Sequence, residues 1–157
     1  MPVSPGTGRI CTLIGCESGF WLKVPVNLHF EQLRASTVTV CRNALCYSSS
    51  LATLAEPSGP DSGNRVTFPD PAQRDTLHTP LIHAEVRRAA SGGYQLHVSY
   101  SPWASGELRN GDVYDVTLTD KRGRKPLKVH ETVSYEVNQP NGPECPSTCL
   151  GIEIDKT

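Results

Sequence analysis

Charge of one sign is what this sequence lacks most. Its 157 residues carry 15 Lys and Arg against 16 Asp and Glu, a formal net charge of -1. No strong field is therefore available to hold a phosphate backbone or an anionic membrane surface. Nucleic acid is set aside as a partner, and a membrane is reachable only through a covalent lipid anchor. Long apolar runs are missing too, since nothing approaches the roughly 18 consecutive residues of a spanning helix. Charged residues make up 20% of the chain, below the usual quarter. The length suits a single domain.

Several signatures of chemistry are absent as well. There is no G-x-S-x-G elbow to expose a nucleophilic serine. Any cysteine nucleophile would have to be spared from disulfides. Carboxylates such as Asp112, Asp115, Asp120 and Glu131 fall at turns or outward strand positions, and no pair is spaced for acid/base work. No C-x2-C knuckle occurs, and none of the five histidines sits at ligand spacing from a cysteine or another histidine. His29, His83 and His97 face outward on their strands, His78 and His130 lie elsewhere, and only His83 and His97 could meet across a hairpin. A third ligand would still be needed. These absences lean against an enzyme, and no metal or cofactor is expected.

Turn-forming residues and cysteine are what the chain does have. Gly and Pro number 13 each, a turn-rich composition. The six cysteines form three close pairs, Cys11 and Cys16, Cys41 and Cys46, Cys145 and Cys149. An even, paired set points to an oxidising compartment. Cys41 and Cys46 would face each other across a hairpin built from short strands at 37–41 and 46–50. Closing so short a loop contributes about 2 kcal/mol in the chain-entropy model, against about 5 for a bridge from Cys16 to Cys145 or Cys149. Spacing alone does not settle the pairing.

Cys16 has two competing readings. Leu13-Ile14-Gly15-Cys16 matches the bacterial lipobox, which makes Cys16 a lipidation candidate and Glu17-Ser18-Gly19 the start of a tether. Residues 1–8 are rich in Pro and Gly, and only 10–14 could serve as the apolar segment of a signal, which is too short. Lipidation therefore requires translation to begin upstream of Met1, and would leave Cys145 to pair with Cys149. In the other reading Cys11 and Cys16 are ordinary disulfide partners, and one of them bridges to the Cys145/Cys149 segment. Residues 1–18 are read as a flexible amino-terminal segment that could be the remnant of a lipoprotein signal, and 19–157 as the folded domain.

Alternation dominates that domain. Phe20, Leu22, Val24, Val26, Leu28 and Phe30 share one face of a first strand, with Trp21, Lys23, Pro25, Asn27 and His29 on the other. Pro25 lacks an N–H and marks an edge or a bulge. One helical turn at 31–36 precedes the 37–50 hairpin, and 56–64 reads as a loop. Ile82, Ala84 and Val86 alternate before Ser91-Gly92-Gly93, and Tyr94, Leu96, Val98 and Tyr100 after it, as a second hairpin. Tyr114, Val116 and Leu118 lead to the basic turn Lys121-Arg122-Gly123-Arg124-Lys125. Leu127, Val129, Val133, Tyr135 and Val137 then resume one face if a bulge falls near Glu131. Ile152 and Ile154 close the pattern. Eight or nine short strands without a sustained helical period predict an all-β fold, an antiparallel β-sandwich of Ig- or fibronectin-like architecture stapled by disulfides. The antibody arrangement of a core Trp between two distant cysteines is not met. The expected core is Phe20, Leu22, Val24, Val26, Leu28, Val38, Val40, Ile82, Val86, Leu96, Val98, Tyr114, Val116, Leu118, Val133 and Tyr135.

Two features could recognise a partner. The Lys121–Lys125 tip could contact a phosphate or polyanion, although such tips more often serve as solvated turns that discourage edge pairing. Tyr100, Trp103 and Leu108 surround S-P-W-A-S-G-E-L-R-N-G, a Gly- and Pro-containing loop at one end of the sandwich, where a binding module keeps its aromatic anchor. Trp103 could equally cap the core from the side.

Three segments together carry a resemblance: Gly15-Cys16-Glu17-Ser18-Gly19 opening an alternating strand, the Cys41 to Cys46 hairpin, and Asn141-Gly142-Pro143-Glu144-Cys145-Pro146-Ser147-Thr148-Cys149 before the last strand. The chain resembles small predicted lipoproteins and secreted proteins of actinobacteria from Cys16 onward. That resemblance implies an extracytoplasmic β-rich domain of the cell envelope or secreted space. It brings no activity and no functional residue. The leading expectation is a non-catalytic binding or structural module for a protein, peptide or glycan. The alternative is a hydrolase or metal-dependent enzyme whose residues converge only in the fold. A concave pocket gathering histidines and carboxylates would favour the enzyme, and a flat loop face around Trp103 the module.

Overall fold

A computed structural model describes residues 15–59, 63–70, 79–145 and 148–157. Cys11, Leu13, Ile14 and His78 lie outside the described residues, and so does most of the proposed signal remnant. The described chain is built from strands β1 (Gly19–Val26), β2 (Thr37–Arg42), β3 (Leu45–Ser50), β4 (Arg65–Phe68), β5 (Leu81–Arg88), β6 (Tyr94–Ser101), β7 (Val113–Thr119), β8 (Leu127–Thr132), β9 (Glu136–Asn138) and β10 (Cys149–Asp155). Among the described residues, helix is confined to α1 (Phe30–Arg34) and a 3-10 turn at Ser105–Glu107. The all-β prediction therefore holds, and the strands form two open sheets, β4-β5-β6-β1-β10-β9 and β3-β2-β7-β8.

Both sheets turn the apolar side of their alternation to one buried cluster. Phe20, Leu22, Ile82 and Leu96 of the larger sheet and Val38, Val40, Tyr114, Val116 and Leu118 of the smaller are at most 1% exposed. The Phe20 ring stacks on Tyr114 with centroids 4.1 Å apart, and Tyr100 meets Tyr114 edge-on at 5.4 Å, so aromatic contacts join the two sheets. Leu28 alone of the expected core set is only partly buried.

The first strand departs from expectation in two ways. It ends at Val26, because the Gln32 side chain accepts a hydrogen bond from the His29 N–H at 2.9 Å and starts α1. Phe30 and Leu33 then bury one face of that short helix. Second, β1 runs antiparallel to β6 but parallel to β10, so the six-stranded sheet is mixed and the wholly antiparallel prediction is corrected. Pro25 agrees with the expected edge, although β1 is an interior strand of the sheet. Pairing with β10 stops at Lys23 opposite Asp155, and Pro25 pairs only with Gln95 of β6. Its missing N–H therefore falls where β1 is locally an edge. At the other end of β1, a Cβ on Gly19 would run into the Tyr100 carbonyl oxygen, so only glycine allows the close approach to β6.

The bulge expected near Glu131 is instead a crossing between sheets. β8 ends at Thr132, β9 belongs to the other sheet, and Val133 and Tyr135 stay buried on the way across. Val137 of β9 is 63% exposed rather than inward.

The disulfides follow from this topology. Cys41 and Cys46 are directly opposed in the β2–β3 ladder and are bonded, with Cα atoms 4.0 Å apart. Cys16 is bonded to Cys149, not Cys145 to Cys149, because the parallel β1–β10 register sets residues just before Gly19 beside those just before Gly151. Cys145 is also disulfide-bonded. These bonds are compatible with an oxidising, extracytoplasmic environment. The Cys16 sulfur, the lipidation candidate, is thus already engaged.

Candidate functional site

The segment 102–112 leaves β6 and enters β7, and it separates the three residues expected to form a binding patch. Trp103 is 51% exposed, whereas Tyr100 is 3% and Leu108 1% exposed. Tyr100 falls on the inward side of β6, and Leu108 plugs the core beneath the loop. Both of these belong to the buried core, away from the exposed Trp103.

What holds this loop was not legible from spacing. Asp112 is 3% exposed and accepts four hydrogen bonds: from Arg42 Nε at 3.0 Å, Asn43 Nδ2 at 2.8 Å, the Arg109 backbone N–H at 3.1 Å and the Tyr135 hydroxyl at 2.6 Å. Tyr114 and Tyr135 hydroxyls lie 2.6 Å apart beneath it. Burial pushes the Asp112 carboxyl up, but the donors from Tyr135, Asn43, Arg109 and Arg42 outweigh it, and the net shift is downward. Arg42 also donates to the Glu107 carbonyl inside the loop. Asn43, at φ 50 in the β2–β3 turn, receives the Val113 N–H on its Oδ1 at 2.8 Å. Asn110 Oδ1 accepts from the Tyr135 N–H at 2.8 Å. One buried carboxylate thus ties together the hairpin turn, the Trp103 loop and the sheet crossing. The sequence signal, an Asn at a turn and an Asp before a strand, is too common to single out.

A second surface lies on the outer face of the six-stranded sheet. A groove of about 690 Å³ is lined there by Trp21, His83, Glu85, His97, Glu153 and neighbours from β4, β5, β6, β1 and β10. His83 stands opposite Ser99, and His97 opposite Glu85, so the two imidazoles are diagonal neighbours across the hairpin. Each is already engaged. His83 Nδ1 shares a hydrogen bond with the Thr67 hydroxyl at 2.8 Å, and His97 Nε2 lies 3.1 Å from Gln95 Oε1. Burial, then the charge of Arg65, lowers His83. Burial, then Arg87 and Lys23, lowers His97. Both shifts favour the neutral imidazole. Glu85 pairs with Arg87 at 3.1 Å and Glu153 with Lys23 at 3.0 Å. No group of three metal-ligating side chains occurs among the described residues.

The other histidines stand apart. His29 precedes α1, and His130 pairs with Asp115 at 2.6 Å on the outer face of the smaller sheet. The basic turn is organised from within, since Asp120 accepts the Arg122 and Arg124 N–H groups, each at 2.9 Å, and Arg124 Nε at 2.8 Å. Its Lys121, Arg122, Arg124 and Lys125 border a depression of about 470 Å³ shared with Leu28 and Gln32. Comparison with protein-family models, curated proteins and solved structures finds no match to this chain.

Proposed function

We propose that the protein is an extracytoplasmic, non-catalytic binding module, an Ig- or fibronectin-like β-sandwich of the kind found among small secreted and envelope proteins of actinobacteria, which takes a protein or peptide partner on its Trp103 end. One observation carries the reading. A tryptophan is held half in solvent by a loop anchored to a buried carboxylate, an arrangement that prepays the ordering cost of a contact. Core packing does not require Trp103 there, and exposed aromatic anchors supply a large share of binding energy at interfaces. The disulfides support export. A secreted form keeps the Cys16–Cys149 bond, whereas a lipid on Cys16 would require its loss.

The test places a photoreactive phenylalanine analogue at position 103, with position 128 on the outer face of the smaller sheet as control, and irradiates with the envelope fraction of the producing cells. A discrete adduct at 103 that excess wild-type protein suppresses, and Trp103→Ala protein does not, is the expected result. Equal adducts at both positions, or equal suppression by the variant, would overturn it. The enzyme alternative draws on the outer groove, where two histidines and three carboxylates, Glu17, Glu85 and Glu153, converge. Turnover of nitrophenyl ester or glycoside probes that disappears in His97→Ala would establish it. The ion pairs of Glu85 and Glu153 leave these two carboxylates poorly placed to act as acid or base.

A further inference from the structure

The outer groove contains the second of the two tryptophans, and its chemistry points to a ligand of its own. We propose that a neutral oligosaccharide chain lies across the strands of the six-stranded sheet, with one sugar ring stacked on Trp21.

The shape fits an extended chain. The 690 Å³ groove shares Trp21, Glu17 and Glu153 with a neighbouring depression of about 590 Å³ that reaches Glu136 and Asn138 on β9. From β5 to β9 the combined trough crosses four strand spacings, about 19 Å at the usual interstrand distance. It runs perpendicular to the strands, and Trp21 stands near its middle.

Trp21 is placed for stacking rather than for the core. Phe20 and Leu22 take the inward side of β1, and Trp21 points outward, half-buried. Its six-membered ring reaches over the neighbouring strand at Gly151, where a Cβ would stand 2.9 Å from Cζ3. The absence of a side chain at 151 is what lets the ring lean across the sheet. An aromatic face is electron-rich, and the C–H face of a pyranose is its complement.

The charges indicate neutrality. Lys23, Arg65 and Arg87 are matched by Glu17, Glu85 and Glu153 in the larger groove, and Glu136 adds one negative charge at the β9 end. Burial favours the neutral form of both imidazoles. So nearly balanced a lining gives no attraction for an anionic ligand and little for a cationic one, yet it is dense in donors and acceptors suited to hydroxyl groups. The site does not involve the Trp103 loop, so this inference and the reading above fail independently.

Affinity electrophoresis of the intact, oxidised protein tests it, with soluble β-glucan, xylan, α-mannan and galactan as neutral probes and hyaluronan and polygalacturonate as anionic ones. Because the chain has two Trp, Trp103→Phe leaves Trp21 as the sole fluorescent reporter. The expected result is retardation by at least one neutral polysaccharide, a shift of Trp21 emission with it, and no response to the anionic ones. Trp21→Ala should weaken binding by about 30-fold, as truncation of an aromatic anchor does. Gly151→Ala, which displaces the ring while keeping every polar group, should weaken it also, and Lys128→Ala on the other sheet should not. Retardation by anionic probes alone, by none, or equally with Trp21→Ala and Gly151→Ala as with wild type would overturn the proposal. Should Trp21→Ala fail to fold, Gly151→Ala decides.

Discussion

Replacing Asp112 with alanine should be among the most damaging single changes at the Trp103 end. The carboxylate is 3% exposed, and Arg42, whose side chain is 14% exposed, lies 3.0 Å from it. Alanine leaves that guanidinium without its closest counter-ion and removes the acceptor from Asn43, the Arg109 N–H and Tyr135. Breaking one side of a buried, hydrogen-bonded ion pair costs about 3–5 kcal/mol. With a urea slope of about 2 kcal/mol/M for a domain of this size, the unfolding midpoint should fall by about 2 M under non-reducing conditions. Arg42→Met together with Asp112→Ala should cost less than the sum of the two by about 2 kcal/mol, because the double variant strands no charge. Since the folded carboxyl is held below its ordinary value, its contribution is complete above the unfolded value of about 3.9 and is lost as pH falls through the folded one. The gap between wild type and Asp112→Ala should therefore be flat near neutrality and close in acid. In a Trp21→Phe background, Asp112→Ala should also make Trp103 more accessible to acrylamide. A destabilisation below about 1 kcal/mol, or additivity within about 0.5 kcal/mol, would refute the assignment of Asp112 as the anchor of this end.

Cys41→Ser with Cys46→Ser, opening a loop of sequence separation 5, should cost about 2 kcal/mol on the chain-entropy account, visible as a melting point lower by about 4–8 °C. Ala44 sits at φ 70 in the β2–β3 turn, where an L side chain is strained. Ala44→Gly creates Asn-Gly there and should raise the melting point, by about 0.5–1 kcal/mol of stability; a lower one would refute the strain. Burial raises both Tyr114 and Tyr135, and the Asp112 carboxylate adds to the rise at Tyr135. A phenol raised in the folded state favours folding below its unfolded value of about 10 and loses that contribution as pH rises through the folded value. Absorbance at the phenolate band should therefore reach full ionisation of the five Tyr only together with loss of the near-ultraviolet circular dichroism. Reversible ionisation of all five with that signal intact would contradict the buried pair.

Period-two alternation is a local property, and the sequence alone determined what depends on it. Phe20, Leu22, Val24 and Val26 are buried because successive strand side chains face opposite ways, whichever strand lies alongside. The same holds for Ile82 and Val86, and for Val116 and Leu118. The Cys41–Cys46 bond was legible because its two partners lie in one hairpin, where pairing is set within a few residues. What lies beyond such local reach was not. The parallel pairing of β1 with β10 joins residues more than a hundred positions apart, and it alone brings Cys16 to Cys149. Tyr100 is buried with Leu96 and Val98 by the alternation of β6, whereas Leu108 looked like a neighbour of Trp103 because it is near it in sequence, and only the path of the loop turned it into the core. Asp112 gathers donors from positions 42, 43, 109 and 135, and the outer groove gathers side chains from five strands. A sheet face is assembled from one residue in two on each of its strands, so its composition depends on strand order and register, which only the tertiary structure decides.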